Sequence, residues 1–447
     1  MSIYKAYDIR GIYPAELDER IARRVGMALV RHLHARRLVV GRDMRTMAPR
    51  VTDALVDGIT SMGCEVTDIG LASTPLVYHA IGTIPCDGGV AVTASHNPKE
   101  YIGLKLCRAG PRPLSGDSGI PEIEAMVRAP EPPSVEQKGR RESVEVKSGF
   151  IDRVVDLVGG ADAIPGQKIA VDYANGMGAA EAPEAFARFP GLEVVSLFGD
   201  LDGTFPNHEA NPLKEGNLES LRETIAREGA TLGLAFDGDA DRCAFVDRDG
   251  RTVGADLITA ILAPYFLGRA PGKGVIYDLR SSRIVPELIR ELGGEPVRER
   301  VGHSFMKETM RRRGCIGGGE LSGHFYFAEF HYSDCGLLAG LAVLAELGRT
   351  GKDLKEAADG FRKYHQSGEI NFHVEDKEAL MEQVVHRFSD GELDRLDGIL
   401  IEYPDWWLNV RPSNTEPYLR LVMEADAPEL LSAKRAELVS ILGEPVR

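Results

Sequence analysis

Leu38-Val39-Val40-Gly41-Arg42-Asp43 is an apolar run that ends in glycine and charge. A helix is expected next, near residues 50–61, and a short strand, Glu65-Val66-Thr67-Asp68, closes the unit. The pattern returns twice. Ile169-Ala170-Val171-Asp172 leads through a helix at 179–188 to Leu192-Glu193-Val194-Val195, and Val275-Ile276-Tyr277-Asp278 leads through 284–292 to Glu295-Pro296-Val297. Each copy has the length and order of a β-α-β unit. Repetition at this scale points to three related α/β domains, with one large doubly wound sheet as the alternative.

Working outward, the Pro-rich stretch Ala129-Pro130-Glu131-Pro132-Pro133 predicts a boundary near residue 140, and the turn Asp249-Gly250 predicts a second. The tail differs in kind. Strands are expected at 369–374, 398–403, 407–410 and 418–423, with helices at 377–388 and 428–442. That pattern reads as a small α+β domain with an antiparallel sheet.

A chain of 447 residues exceeds one core, so two to four domains are expected. The formal net charge of −15 argues against a general nucleic-acid binder, which needs a basic surface. It leaves room for a small anionic substrate at clustered arginines. No apolar run reaches the roughly 20 residues of a membrane span, and the N-terminus lacks a signal peptide's apolar stretch, so a cytoplasmic protein is expected. Cys64, Cys86, Cys107, Cys243, Cys315 and Cys335 form no C-x-x-C pair and read as free thiols.

Four segments carry chemistry. Val90-Ala91-Val92-Thr93-Ala94-Ser95-His96-Asn97-Pro98 presents Ser95 at the carboxyl end of a strand, where open α/β sheets place ligands. A plain turn with a capping serine is the alternative. Leu232-Gly233-Leu234-Ala235-Phe236 runs into Asp237-Gly238-Asp239-Ala240-Asp241-Arg242. Three carboxylates at alternate positions converge if the chain stays extended, and hard oxygen ligands suit Mg²⁺. A calcium EF-hand needs Gly at the sixth position and Glu at the twelfth, where this chain has Arg242 and Arg248. A haloacid-dehalogenase-type phosphatase usually has Thr or Val at the place of Asp241. A solvated acidic turn is the bland alternative.

The third segment, Gly317-Gly318-Gly319-Glu320-Leu321-Ser322-Gly323-His324, combines glycines that permit close backbone approach with the acceptor and donor that sugar hydroxyls need. A tight glycine turn without ligand fits it as well. The fourth, Arg411-Pro412-Ser413-Asn414-Thr415-Glu416-Pro417, joins two tail strands and can cradle a phosphate, or can be a long hairpin loop. Tyr7-Asp8-Ile9-Arg10-Gly11 places an arginine in a turn, and Gly302-His303-Ser304-Phe305 carries a histidine able to move protons near neutral pH.

Taken together and in this order, these segments resemble the α-D-phosphohexomutase family, most closely its bacterial phosphomannomutase/phosphoglucomutase branch, over essentially the whole chain. The resemblance implies four domains, expected at 1–140, 141–250, 251–366 and 367–447, bearing in turn the phosphoserine, the metal, the sugar loop and the phosphate loop. It implies that Ser95 carries phosphate and joins Asp237, Asp239 and Asp241 in binding Mg²⁺, with Arg242 and Arg10 alongside. Lys105 and His303 match its general acid/base pair. Tyr7, Arg280, Glu320, Ser322, His324, Arg411, Ser413, Asn414 and Thr415 match substrate-binding positions.

The implied reaction interconverts hexose 6-phosphate and hexose 1-phosphate, of mannose or glucose, with glucose 1,6-bisphosphate as activator and intermediate. The chain departs from the family at Ile102-Gly103-Leu104-Lys105, which lacks the usual Asn-Gly, and at Arg280, where dual-specificity members often have lysine. The alternatives are phosphoglucosamine mutase of the same family, a sugar-phosphate phosphatase using Asp237, and a catalytically silent sugar-phosphate sensor. The expected partners are small hexose phosphates, with neither nucleic acid nor membrane, in a monomer or homodimer.

Overall fold

The computed structural model describes residues 2–413 and 418–446. The chain forms four separate sheets rather than one wound sheet. In the first, parallel strands Arg37–Arg42, Glu65–Leu71 and Gly88–Val92 are flanked by antiparallel Tyr101–Arg108 and Ile9–Ile12. The predicted helix between the first two strands spans Ala48–Ser61. Arg10 therefore lies in an edge strand paired with Gly103, not in a turn, because Ile9 and its neighbours complete the sheet beside Tyr101–Arg108. Arg141–Ser143 also joins this sheet, alongside Glu65–Leu71.

The second sheet has Leu192–Leu197, Gln167–Asp172 and Leu232–Phe236 in parallel, then antiparallel Cys243–Asp247 and Thr252–Val253. The third repeats that plan with Glu295–Glu299, Gly274–Asp278 and Gly317–Gly319 parallel, followed by antiparallel Phe325–Phe327 and Ser333–Asp334. In both repeats the predicted helix follows the first strand, at Gly178–Phe186 and Ile284–Glu291.

The tail sheet is antiparallel throughout. Its strands Ile370–His373, Ile399–Glu402, Trp406–Pro412 and Tyr418–Ala425 match the expected ones, as do the helices Lys377–Arg387 and Pro428–Leu442. Two short strands, His365–Gln366 and Glu392–Asp394, lay below the sequence signal because neither has an apolar face.

One hydrophobic cluster runs through all three α/β units, with Val77 and Tyr78 from the first, Phe150 and Leu234 from the second, and Phe266 and Leu341 from the third. Burying these faces against one another fixes how the units are oriented. Residues just past the carboxyl ends of their parallel strands consequently meet, Ser95 of the first unit with Asp237 of the second and Arg242 of the second with His324 of the third. All six cysteines are free thiols. Among the described residues no helix is long and apolar enough to cross a membrane.

Candidate active site

Ser95 lies three residues past Gly88–Val92, in a left-handed conformation with φ +50°. Few non-glycine residues adopt that region, and it marks a loop held by its surroundings. The holder is Arg45, a fully buried guanidinium that sequence reasoning missed. Its Nη2 donates to the Ser95 carbonyl at 2.8 Å and to the Asn97 carbonyl at 2.6 Å, and its Nη1 donates to the carbonyls of Pro98 and Tyr101. Asp43 pairs with Arg45 Nε at 3.3 Å. Both residues follow the strand Arg37–Arg42, so the same strand-end rule that singled out Ser95 could have found them.

The aspartate loop meets this serine directly. Ser95 Oγ donates to Asp237 Oδ2 at 2.7 Å. Gly238 makes the approach possible, since a Cβ there would lie 2.4 Å from the Ser95 carbonyl oxygen. The carboxylates converge through a turn rather than an extended run. Ala240 adopts φ +58° and its N–H bonds back to the Asp237 carbonyl. The expected alternate spacing was right, but the physical device is a turn, because an extended chain would carry Asp241 past the other two.

Asp237, Asp239 and Asp241 are fully buried, with one oxygen from each lying within 4.8 Å of the others. Burial, with the neighbouring carboxylates adding to it, pushes Asp237 well above the usual carboxylate range. Burial also opposes the charge on Asp241, but Lys105 and His324 outweigh it and hold that carboxyl well below the usual range. Lys105 bridges Asp239 at 2.6 Å and Asp241 at 2.5 Å. Burial disfavours its charge, yet the aspartates raise its pKa above the ordinary lysine value. Thr74 Oγ1, unforeseen from sequence, donates to Asp239 Oδ2 at 2.6 Å.

Asp239 Oδ1 is buried without a hydrogen-bond partner, and Asp241 Oδ1, also buried, makes no hydrogen bond but faces His324 Nε2 at 3.4 Å. Orphaned carboxylate oxygens in such a cluster call for a cation. Three carboxylates and a hydroxyl are the donor set of a hard divalent ion, so these residues fit Mg²⁺.

The proton-bearing groups gather on the same side. Arg242 Nε lies 3.3 Å from His324 Nε2, and His324 Nδ1 meets Ser322 Oγ at 2.8 Å. His303 opens the helix His303–Arg313, its ring centroid 5.6 Å from His324 and 5.5 Å from Tyr7. Burial, then Lys307 and His324, lower its pKa well below the usual histidine value. Arg10 binds Asn97 and Asp8. Tyr7 Oη donates to the Val301 carbonyl at 3.1 Å, tying the first sheet to the third.

The loop 320–324 follows Gly317–Gly319, where a Cβ on Gly317 would meet the Phe266 ring at 2.2 Å. Glu320 accepts from Tyr326 Oη at 2.8 Å. Arg280 follows Gly274–Asp278 and is held by Asp278 through Nε at 3.1 Å and Nη2 at 2.9 Å. Arg411 is the last residue but one of the strand Trp406–Pro412, and the Ser413 carbonyl accepts from Lys377 at 2.9 Å. Asn414 and Thr415 lie outside the described residues.

Family models for all four domains of phosphoglucomutase/phosphomannomutase match in order. Domains I, II and III match residues 1–133, 148–250 and 255–364, and the C-terminal domain matches 369–441. The chain belongs to the phosphoglucomutase/phosphomannomutase family. It is a mutase by that membership, and its relatives agree. It is 38% identical to the phosphohexose mutases of Xanthomonas campestris pv. campestris strain B100, over 98% of both chains. It is 36% identical to the phosphomannomutase of Escherichia coli K12, over 99% of both. Among solved structures, a phosphoglucomutase/phosphomannomutase family protein from Burkholderia thailandensis superposes with a TM-score of 0.89 at 32% identity, covering 99% of this chain and 98% of its own.

Proposed function

We propose that this mutase interconverts hexose 6-phosphates and hexose 1-phosphates, of mannose and glucose, through a phosphorylated Ser95 and a hexose 1,6-bisphosphate. The observation that carries it is the Ser95 hydroxyl seated 2.7 Å from Asp237, inside three buried carboxylates and beside Lys105. A binding protein for sugar phosphates has no use for such a buried, charge-dense centre.

In this mechanism Ser95 holds the transferable phosphoryl group. Asp237, Asp239 and Asp241 would hold Mg²⁺, which offsets charge on that group. Lys105 and Arg242 are placed to neutralise its equatorial oxygens. Glu320 and Ser322 hold the sugar ring, and Arg411 with Ser413 takes the phosphate that does not react. His303 accepts the proton of the attacking hydroxyl, which forms the new P–O bond as the Ser95–phosphate bond breaks, and Lys105, the other member of the acid/base pair, gives the leaving Ser95 oxygen a proton. The bisphosphate then turns within the cleft and returns its other phosphate to Ser95. Hexose phosphates need no membrane, and a cytoplasmic location fits such substrates.

The test is a panel of glucose, mannose and glucosamine 1-phosphates with glucose 1,6-bisphosphate and Mg²⁺. Turnover on glucose or mannose phosphate, lost with EDTA, is expected. Turnover confined to glucosamine 1-phosphate, or release of inorganic phosphate without isomerisation, would refute the proposal. Asp239→Asn removes one hard ligand and is expected to raise the Mg²⁺ requirement roughly tenfold or more. An unchanged Mg²⁺ titration would count against the metal loop.

A further inference from the structure

Tyr326 is the middle residue of the strand Phe325–Phe327 and is fully buried. Alternate strand residues face opposite ways. Phe325 and Phe327 enter the core shared by the three α/β units, whereas Tyr326 packs with Ile276, Met306 and Met310 in a separate apolar cluster. Those neighbours would accommodate a phenylalanine. The hydroxyl is therefore the atom that needs a reason, because a buried polar group is costly without a partner. Its partner is Glu320, whose Oε2 accepts from Tyr326 Oη at 2.8 Å.

The main chain around Glu320 is fixed independently of this bond. The Glu320 N–H donates to the His324 carbonyl at 2.9 Å, and the Glu320 carbonyl accepts from the Gly323 N–H at 2.9 Å. The next N–H, that of Leu321, donates to Asp278 Oδ2 at 2.7 Å. With the backbone set, the bond from Tyr326 sets the direction of the carboxylate. Glu320 Oε1 lies 3.9 Å from Arg280 Nη2, beyond hydrogen-bond length. Glu320 is buried, and a buried charge released from its partner is drawn to an opposite one. Without the Tyr326 hydroxyl the carboxylate would close onto Arg280.

We propose that Tyr326 is a positioning residue for the isomerisation: its hydroxyl holds the Glu320 carboxylate off Arg280 and keeps it free to accept from a ring hydroxyl of the substrate. This rests on the proposed function above, in which Glu320 holds the ring. The hydroxyl concerned follows from the reaction itself. O1 and O6 exchange the phosphate, and C2 is where glucose and mannose differ. O3 and O4 remain as the hydroxyls that both sugars present alike.

The test compares kcat/KM of the wild type and of Tyr326→Phe on three substrates, with glucose 1,6-bisphosphate and Mg²⁺ present. The substrates are glucose 1-phosphate or mannose 1-phosphate, whichever turns over faster, and the 3-deoxy and 4-deoxy analogues of that sugar. Tyr326→Phe is expected to lose roughly tenfold on the parent sugar, the scale of a hydrogen bond to a charged group. On one of the two analogues the substitution is expected to cost less than roughly twofold, since the contact that Tyr326 prepares is already gone. A folding defect would lower all three rates alike, so the analogue that keeps its rate also reports an intact fold.

An equal loss on all three substrates would overturn the proposal, and so would an unchanged rate on the parent sugar. Either result, from a wild type that isomerises the parent sugar, would leave the proposed function standing. A wild type that turns over neither hexose 1-phosphate would instead refute the proposed function, and this inference with it.

Discussion

At the scale of single residues, the site depends on a side chain that is missing. Gly238 lies between Asp237 and Asp239, and an added Cβ would sit 2.4 Å from the Ser95 carbonyl oxygen. The obstacle is backbone, clamped in turn by Arg45, so it cannot swing aside. Gly238→Ala is expected to lower kcat by roughly a hundredfold, because a displacement of about 1 Å at reacting groups has that effect. The variant should still fold, as the three-unit core is untouched. Near-normal kcat would show that the two loops need not approach so closely. The sequence displayed Ser95 and the three aspartates plainly, since polar residues at the ends of apolar strands stand out. Arg45 and Thr74 were hidden because their roles arise from contacts across 50 and 165 residues of chain.

At the scale of elements, Glu181 on the helix Gly178–Phe186 reaches across to another unit. Its Oε1 accepts from the Ser73 N–H at 3.0 Å, at the start of the helix Thr74–Thr83 that delivers Thr74 to Asp239. Burial raises its pKa from 4.5 to about 7, against the pull of Ser73 and Lys147. The folded chain thus keeps this proton at pH values where the unfolded chain has released it. Stability from this group is full below pH 4.5, falls as pH rises, and is lost above about 7. The span corresponds to about 3 kcal/mol. Glu181→Gln should therefore gain on the wild type as pH rises from 4.5 to 8, read as the difference in denaturant midpoints. A difference that does not change with pH would contradict the assignment. The elements themselves were legible: helix and strand positions in the three repeats follow from apolar period and turn residues. The turn within the aspartate loop was not, since it rests on the left-handed Ala240, a conformation that alanine does not advertise.

At the scale of the whole molecule, three similar units share one core, and the tail sheet adjoins the third through Arg280, Glu369 and Arg411. Repetition in the sequence announced the three units and a change of pattern announced the tail. Their mutual orientation came only from the apolar faces that pack between them. This arrangement bears on sugar choice. A bisphosphate that turns over must be held in two orientations by one set of residues. Glu320 is bonded to Tyr326, Ser322 to His324, and Arg280 to Asp278 with Glu369 beside it, so each of these side chains already has a protein partner. Glucose and mannose differ only at C2, and a site with no dedicated partner there discriminates weakly. The ratio of kcat/KM for the two 1-phosphates is expected to stay well below the roughly 10⁴ that a buried hydroxyl-specific contact supplies. A larger ratio would mean that a C2 partner exists.

The central claim is that Ser95 carries the phosphate. Incubating the protein with hexose 1,6-bisphosphate labelled in both phosphates, then digesting it and mapping the label by mass spectrometry, tests it directly. An acid-stable phosphate on the peptide containing Ser95, absent from Ser95→Ala, is the predicted result. A hydroxylamine-sensitive label on Asp237, with Ser95 unmodified, would contradict it.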